Sequence, residues 1–187
     1  MIEGSSDRVT ISLPRRMTRV ARSGRCRVLL AACLCFPLLL TVIVQPRPRL
    51  IWNASASAPV GFYAISYEGA PQVAEMVAAR VPEPFRLFAA RRHYLPANVP
   101  LVKRVAGRGG DRICARDEGI FVNAVRVATR LRRDAAGRPM PWWHGCTTLR
   151  GGSLFLLMED EASFDGRYFG PTAPADIIGK ARLLWAR

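Results

Sequence analysis

The sequence predicts a mainly β domain behind a single N-terminal transmembrane helix. Three observations point there. An uncharged apolar run, residues 28–44, follows a dense block of arginine. After residue 50, short β-prone segments are separated by Gly- and Pro-rich turns. Only one later stretch, residues 85–94, has helical spacing.

The membrane segment is justified by length and charge. Its 17 residues would rise about 26 Å as a helix, close to the ~30 Å hydrocarbon core of a bilayer. Arg8, Arg15, Arg16, Arg19, Arg22, Arg25 and Arg27 precede it, and only Arg47 and Arg49 follow closely. That asymmetry places the N-terminus in the cytoplasm. Pro37 sits mid-run, where a membrane helix tolerates it. A buried core helix fits poorly because the run has no polar face. A cleaved secretory leader would use Ala54-Ser55-Ala56, yet Pro-Arg-Pro-Arg and Leu50-Ile51-Trp52 lie between that site and the run. Arg15-Arg16 is a weak twin-arginine match. The expected organisation is a basic cytoplasmic arm over 1–27, an anchor over 28–45 and an exported domain over 46–187. This amounts to a single-pass protein of a bacterial inner membrane with its domain in the periplasm.

The exported part reads as mostly strands. Residues 61–67 are β-prone and end in Glu68-Gly69-Ala70-Pro71. Residues 76–81 form a second strand, stopped by Pro82 and Pro84. Pro100 opens a strand over 101–105, followed by Gly107, Gly109 and Gly110. Residues 112–127 read as a hairpin turning near Asp117-Glu118-Gly119, and 130–141 as a loop. Residues 153–158 and 177–185 supply late strands. Many short strands with little helix argue against an α/β wound sheet.

Composition narrows the chemistry. The chain has 187 residues, half of them hydrophobic, and a net charge of +14 from 28 Lys+Arg against 14 Asp+Glu. It is too apolar for a disordered tail and has room for one domain. Two histidines and five cysteines exclude most multi-ligand metal sites, and no metal or cofactor is expected. Cys26, Cys33 and Cys35 fall at or within the span, as packing residues. Cys114 and Cys146 lie in the exported part, where a disulfide between them is permitted; two buried thiols are the alternative. Nearly all positive charge is arginine, which cannot serve as a base. The internal amines are Lys103 and Lys180 alone.

Three segments carry candidate chemistry. In a strand, Lys103 shares a face with Leu101 and Val105, while Val102 and Arg104 take the other. Keeping a lysine neutral at pH 7 costs roughly 4–5 kcal/mol, which a desolvating pocket can supply and a wet surface cannot. The plain alternative is a snorkelling lysine at a sheet edge. Ser55 and Ser57, if extended, point the same way about 7 Å apart. A serine needs a base to take its proton, and a neutral lysine can do so without histidine. The plain alternative there is a linker. Residues 163–170, if extended, put Ser163, Asp165 and Arg167 on one face; otherwise they form a surface turn with a weak ion pair.

In order and wording, three boxes resemble the serine–lysine signal peptidases, nearest the compact conjugative-transfer (TraF-type) branch. They are Asn53-Ala-Ser-Ala-Ser-Ala-Pro-Val-Gly-Phe-Tyr63, Pro100-Leu-Val-Lys-Arg-Val-Ala106 through Gly110-Asp111, and Ser163-Phe-Asp-Gly-Arg-Tyr-Phe-Gly170. Ile178-Gly179-Lys180-Ala181 looks like the family's closing strand. The resemblance spans roughly residues 28–185. It implies Ser57 as nucleophile and Lys103 as general base, with Ser55 helping the oxyanion beside the Ser57 N–H. Ser163 would orient the lysine, supported by Asp165 and Arg167. The choice between Ser55 and Ser57 as nucleophile stays open on sequence. Gly166 stands where the family commonly has serine, and Glu75 near where it often has a Gly-Asp pair. The implied activity is removal of leader peptides from exported pre-proteins or pilin precursors beside the lipid bilayer. Either water or a substrate amine would resolve the acyl-enzyme. A general housekeeping signal peptidase is the rival within this class.

Two other readings compete with this one. His144 and Cys146 suggest a Cys–His hydrolase, without any catalytic-cysteine signature around them. Arg126, Arg130, Arg132, Arg133 and Arg138 suggest a membrane-anchored basic adaptor meeting phosphates. Such runs are usually solvated faces, and no nucleic acid is expected as partner.

Overall fold

The computed structural model describes Gly24, residues 26–37 and residues 47–187, and divides into two units, Met1–Arg47 and Pro48–Arg187. In the first unit residues 26–37 are helical and exposed. Residues 1–23 and Arg25 of the expected basic arm, and residues 38–44 of the apolar run, lie outside the described residues. Among the described residues no helix is long and apolar enough to cross a membrane. Cys26, Cys33 and Cys35 are free and exposed there.

The second unit is mainly β. Its elements are β1 (Leu50–Asn53), β2 (Gly61–Ser66), β3 (Met76–Ala79), α1 (Glu83–Arg91), β4 (Leu101–Gly107), β5 (Arg112–Arg116), β6 (Gly119–Val122) and β7 (Val125–Thr129). After them come β8 (Gly145–Thr148), β9 (Phe155–Leu157), the short α2 (Gly166–Phe169), a 3-10 turn (Pro174–Asp176) and β10 (Ile177–Ala186). Six strands pair in the order β1-β2-β10-β3-β4-β9, and four in the order β7-β6-β5-β8. Every pairing is antiparallel.

Alternation explains where the core sits. Val77, Ala79, Leu101 and Val105 bury one face of the β3–β4 pair with Leu156 and Phe169. Ala78 and Val102 bury the opposite face with Tyr63 and Ile65. A third cluster, around Ile113, Ile120 and Phe155, joins the small sheet to β9. Both faces of β4 are therefore dry, and Arg104 is its one exposed side chain.

Local differences from the sequence reading have simple causes. The helix starts at Glu83 rather than residue 85 because Pro84 occupies its first turn, where the missing N–H costs nothing. The expected hairpin over 112–127 holds a second reversal at Asn123 and Ala124, with φ of 50° and 69°. Asparagine tolerates that left-handed geometry. Residues 145–148, which carried no strand signal, form β8, with Cys146 directly opposite Cys114 of β5. A disulfide joins that pair.

Candidate active site

Lys103 is the third residue of β4 and only 3% exposed. Its Nζ lies 2.7 Å from Ser57 Oγ and 2.6 Å from Ser163 Oγ. Burial pulls its pKa from 10.5 down to about 8; the carboxylate of Asp165 pushes back, and the Arg167 guanidinium adds to the depression. A protonated amine donates to both serines, whereas the neutral amine has a lone pair to accept the hydroxyl proton of one. Lys180, the other amine, sits on β10 outside this niche.

The serines do not lie on an extended segment as the sequence reading assumed. Residues 54–57 bend, so Ser55 Oγ and Ser57 Oγ stand 2.9 Å apart instead of one strand repeat. The bend closes with Ala58 N donating to Ser55 O at 3.4 Å, and Ser57 N faces Ser55 Oγ at 3.5 Å. Of the two serines, Ser57 is the one in contact with the lysine. Both border a cleft of about 330 Å³ that Lys103, Leu131, Met140 and Phe164 also line.

Residues 163–170 are not extended either. Asp165 caps α2, its side chain accepting from Arg167 N, so the chain turns inward after Ser163. Arg167 Nε donates to Asp165 Oδ1 at 2.8 Å with the two side chains 1% and 0% exposed, so this is a buried pair and not a surface one. Asp165 Oδ2 also accepts from Met158 N at 3.0 Å, and Arg167 Nη1 donates to Thr129 O at 3.3 Å. Every charged atom therefore has partners, the condition for burying an ion pair without a large penalty. Gly166 has a local reason: a Cβ there would meet Leu156 O at 2.7 Å and Phe155 Cε2 at 2.9 Å. Glu75 stays away from the dyad and accepts from Gln72 N at 2.8 Å.

Several contributors carried no signal of their own. Phe164 stacks on Phe88 of α1 and touches Tyr94, fixing the turn that presents Ser163. Tyr94 hydrogen-bonds Asp134, which it and Arg138 hold well below the usual carboxylate range. This brings the 131–140 loop against the cleft. Arg130, read as part of a solvated basic cluster, is 1% exposed. Its guanidinium donates to Asp117 O and Trp143 O and lies 3.7 Å from the Trp142 ring centroid. Arg132 pairs with Glu118 and Arg138 with Asp134. Arg130 is thus not part of an exposed phosphate-binding face. Cys146, held in its disulfide, has no thiolate to offer His144.

The "Plasmid transfer protein TraF" of Escherichia coli is 34% identical over 137 residues, 67% of this chain and 76% of that protein. The "Probable conjugal transfer protein TraF" of Sinorhizobium fredii is 32% identical over 142 residues, 70% of this chain and 73% of that one. A signal peptidase I from Enterococcus faecalis superimposes with a TM-score of 0.35 and 20% identity, covering 60% of this chain and 97% of the other. The signature of the signal peptidase family, peptidase S26, matches residues 22–186 and takes in all three boxes. The chain belongs to the signal peptidase, peptidase S26, family.

Proposed function

We propose that this chain is a membrane-anchored serine endopeptidase that removes leader peptides from exported pre-proteins, with Ser57 as nucleophile and Lys103 as general base. The observation that carries the reading is the buried Lys103 amine, 2.7 Å from Ser57 Oγ, with its pKa lowered to about 8. Neutral Lys103 takes the Ser57 proton as Oγ attacks the scissile carbonyl. The Ser57 N–H and the Ser55 hydroxyl donate to the oxyanion that forms. The lysine then returns its proton to the departing amine, leaving an acyl-enzyme. Water, activated by the same amine, releases the acyl group and restores the Ser57 hydroxyl; a substrate amine in place of water would give a cyclic product. Ser163 orients Lys103, while Asp165 and Arg167 hold the Ser163 turn.

The printed names of the relatives, plasmid and conjugal transfer proteins, favour substrates of a conjugative apparatus, pilin precursors included. A bacterial inner-membrane setting is supported by the arginine-flanked apolar run. The outward face of β1, β2 and β10 fits the same setting. Trp52 and Trp185 ring centroids lie 6.2 Å apart there with Phe62 beside them, and Trp185 is 53% exposed. Such aromatic groups favour a membrane–water interface.

The test is co-expression of the full chain with candidate pilin precursors, reading the N-terminus of each product. Processing that stops in Lys103→Ala and Ser57→Ala supports the proposal. Processing that persists in Lys103→Ala sinks it and returns weight to an anchored adaptor.

A further inference from the structure

The bend that carries the two serines has little of its own to hold it. Its one internal backbone bond, Ala58 N to Ser55 O, is 3.4 Å long, and its residues are small. The missing support comes from Asn53, the last residue of β1 and 4% exposed. Its Nδ2 donates to Ser55 O at 2.9 Å, Ala58 O at 3.1 Å and Pro59 O at 3.1 Å. Its Oδ1 accepts from Ser55 N at 3.2 Å. One amide thus spans the bend from entry to exit, its two N–H groups shared among three carbonyls. The amide is itself fixed, because β1 pairs Asn53 with Gly61. Gly61 is in turn locked against β10, where a Cβ would strike Trp185 O.

We infer that Asn53 is a positioning residue for the nucleophile: its side-chain amide sets the serine bend so that Ser57 Oγ meets Lys103 with Ser55 Oγ beside it. This deepens the peptidase reading and rests on it for its catalytic consequence. Neither half of the amide is dispensable, since the N–H groups gather three carbonyls and the oxygen holds the Ser55 N–H. Aspartate, equal in shape, would face the same carbonyls with a carboxylate and no donor. Asn53→Asp should therefore be worse than Asn53→Ala, the reverse of the order expected if only volume mattered.

The full chain, in detergent or nanodiscs, tests this in two ways. The first is the split between kcat and KM on an internally quenched peptide with an Ala-x-Ala cleavage site. Displacing a reacting atom by about 1 Å costs on the order of 100-fold, so kcat should fall by about 100-fold in Asn53→Ala and further in Asn53→Asp, with KM within about threefold. The second needs no turnover. Lysine labelled with 13C at the ε-carbon gives two internal side-chain signals, from Lys103 and Lys180. The Lys103 signal should be displaced in both variants while that of Lys180 stays. An unmoved Lys103 signal, kcat within threefold of the parent, or failure of both variants to fold would each overturn the positioning role. If Asn53→Asp alone fails to fold, Asn53→Ala decides. If the parent does not cut the peptide, the peptidase reading is what falls, and the lysine signals still decide for Asn53.

Discussion

Lys103 Nζ stands 2.7 Å from Ser57 Oγ, on a strand whose remaining side chains, apart from Arg104, are shielded from water. In the proposed mechanism this contact is productive only with the amine uncharged. At a pKa of about 8, roughly a tenth of the lysine is neutral at pH 7, about 300-fold more than at its ordinary value. The kcat/KM of the full chain should rise about tenfold per pH unit up to about pH 8 and then level off. A profile that stays flat from pH 6 to 9 would contradict a lysine base.

The same burial makes Lys103 a liability to the fold. Its folded pKa lies below its unfolded one, so between about 8 and 10.5 the unfolded chain binds more protons. Stability therefore rises with pH across that window, and the cost is fully present below it. The displacement corresponds to about 3 kcal/mol. Lys103→Met should abolish cleavage yet unfold later than the parent in urea at pH 7. The gap should narrow by pH 10.

Asp165 and Arg167 pin the turn that carries Ser163. Truncating one partner leaves the other charge buried, at a cost of about 3–5 kcal/mol. Arg167→Met should show that loss in urea unfolding, together with reduced kcat. A change under about 1 kcal/mol would mean the turn is held by Phe164 and its ring contacts instead.

The bond between Cys114 and Cys146 closes a segment with a sequence separation of 32. Chain-entropy arguments give roughly 3–4 kcal/mol for such a loop. Cys146→Ser should lower stability by about that much. Because the bridge closes the small sheet behind the 131–140 loop, KM should rise more than kcat falls. Equal urea midpoints with and without reductant would rule the contribution out.

Gly166 offers a steric test. With Leu156 O 2.7 Å from the position of a Cβ, Gly166→Ala must shift α2 or β9. Overpacking of this kind costs about 1–3 kcal/mol. Retention of full stability and activity would show that the turn relaxes freely.

Much of this molecule is written locally. Alternation in 101–105 put Lys103 on an apolar face, and the Gly, Pro and Asp-Glu-Gly signals marked most of the turns. The order of three short boxes carried the family. These features depend on neighbours in sequence, which period and turn chemistry describe directly. Other features depend on partners far along the chain. Asn53 holds the serine bend from close by in sequence, yet its amide is in place only because β1 pairs with β2, and the charge pair at 165 and 167 is dry because Met158 and the distant Thr129 O close over it. Arg130, indistinguishable from its basic neighbours in sequence, is internal because two distant carbonyls and a Trp142 ring receive it. Residue type alone does not set burial or a depressed pKa; those follow from which groups the fold brings within a few ångströms.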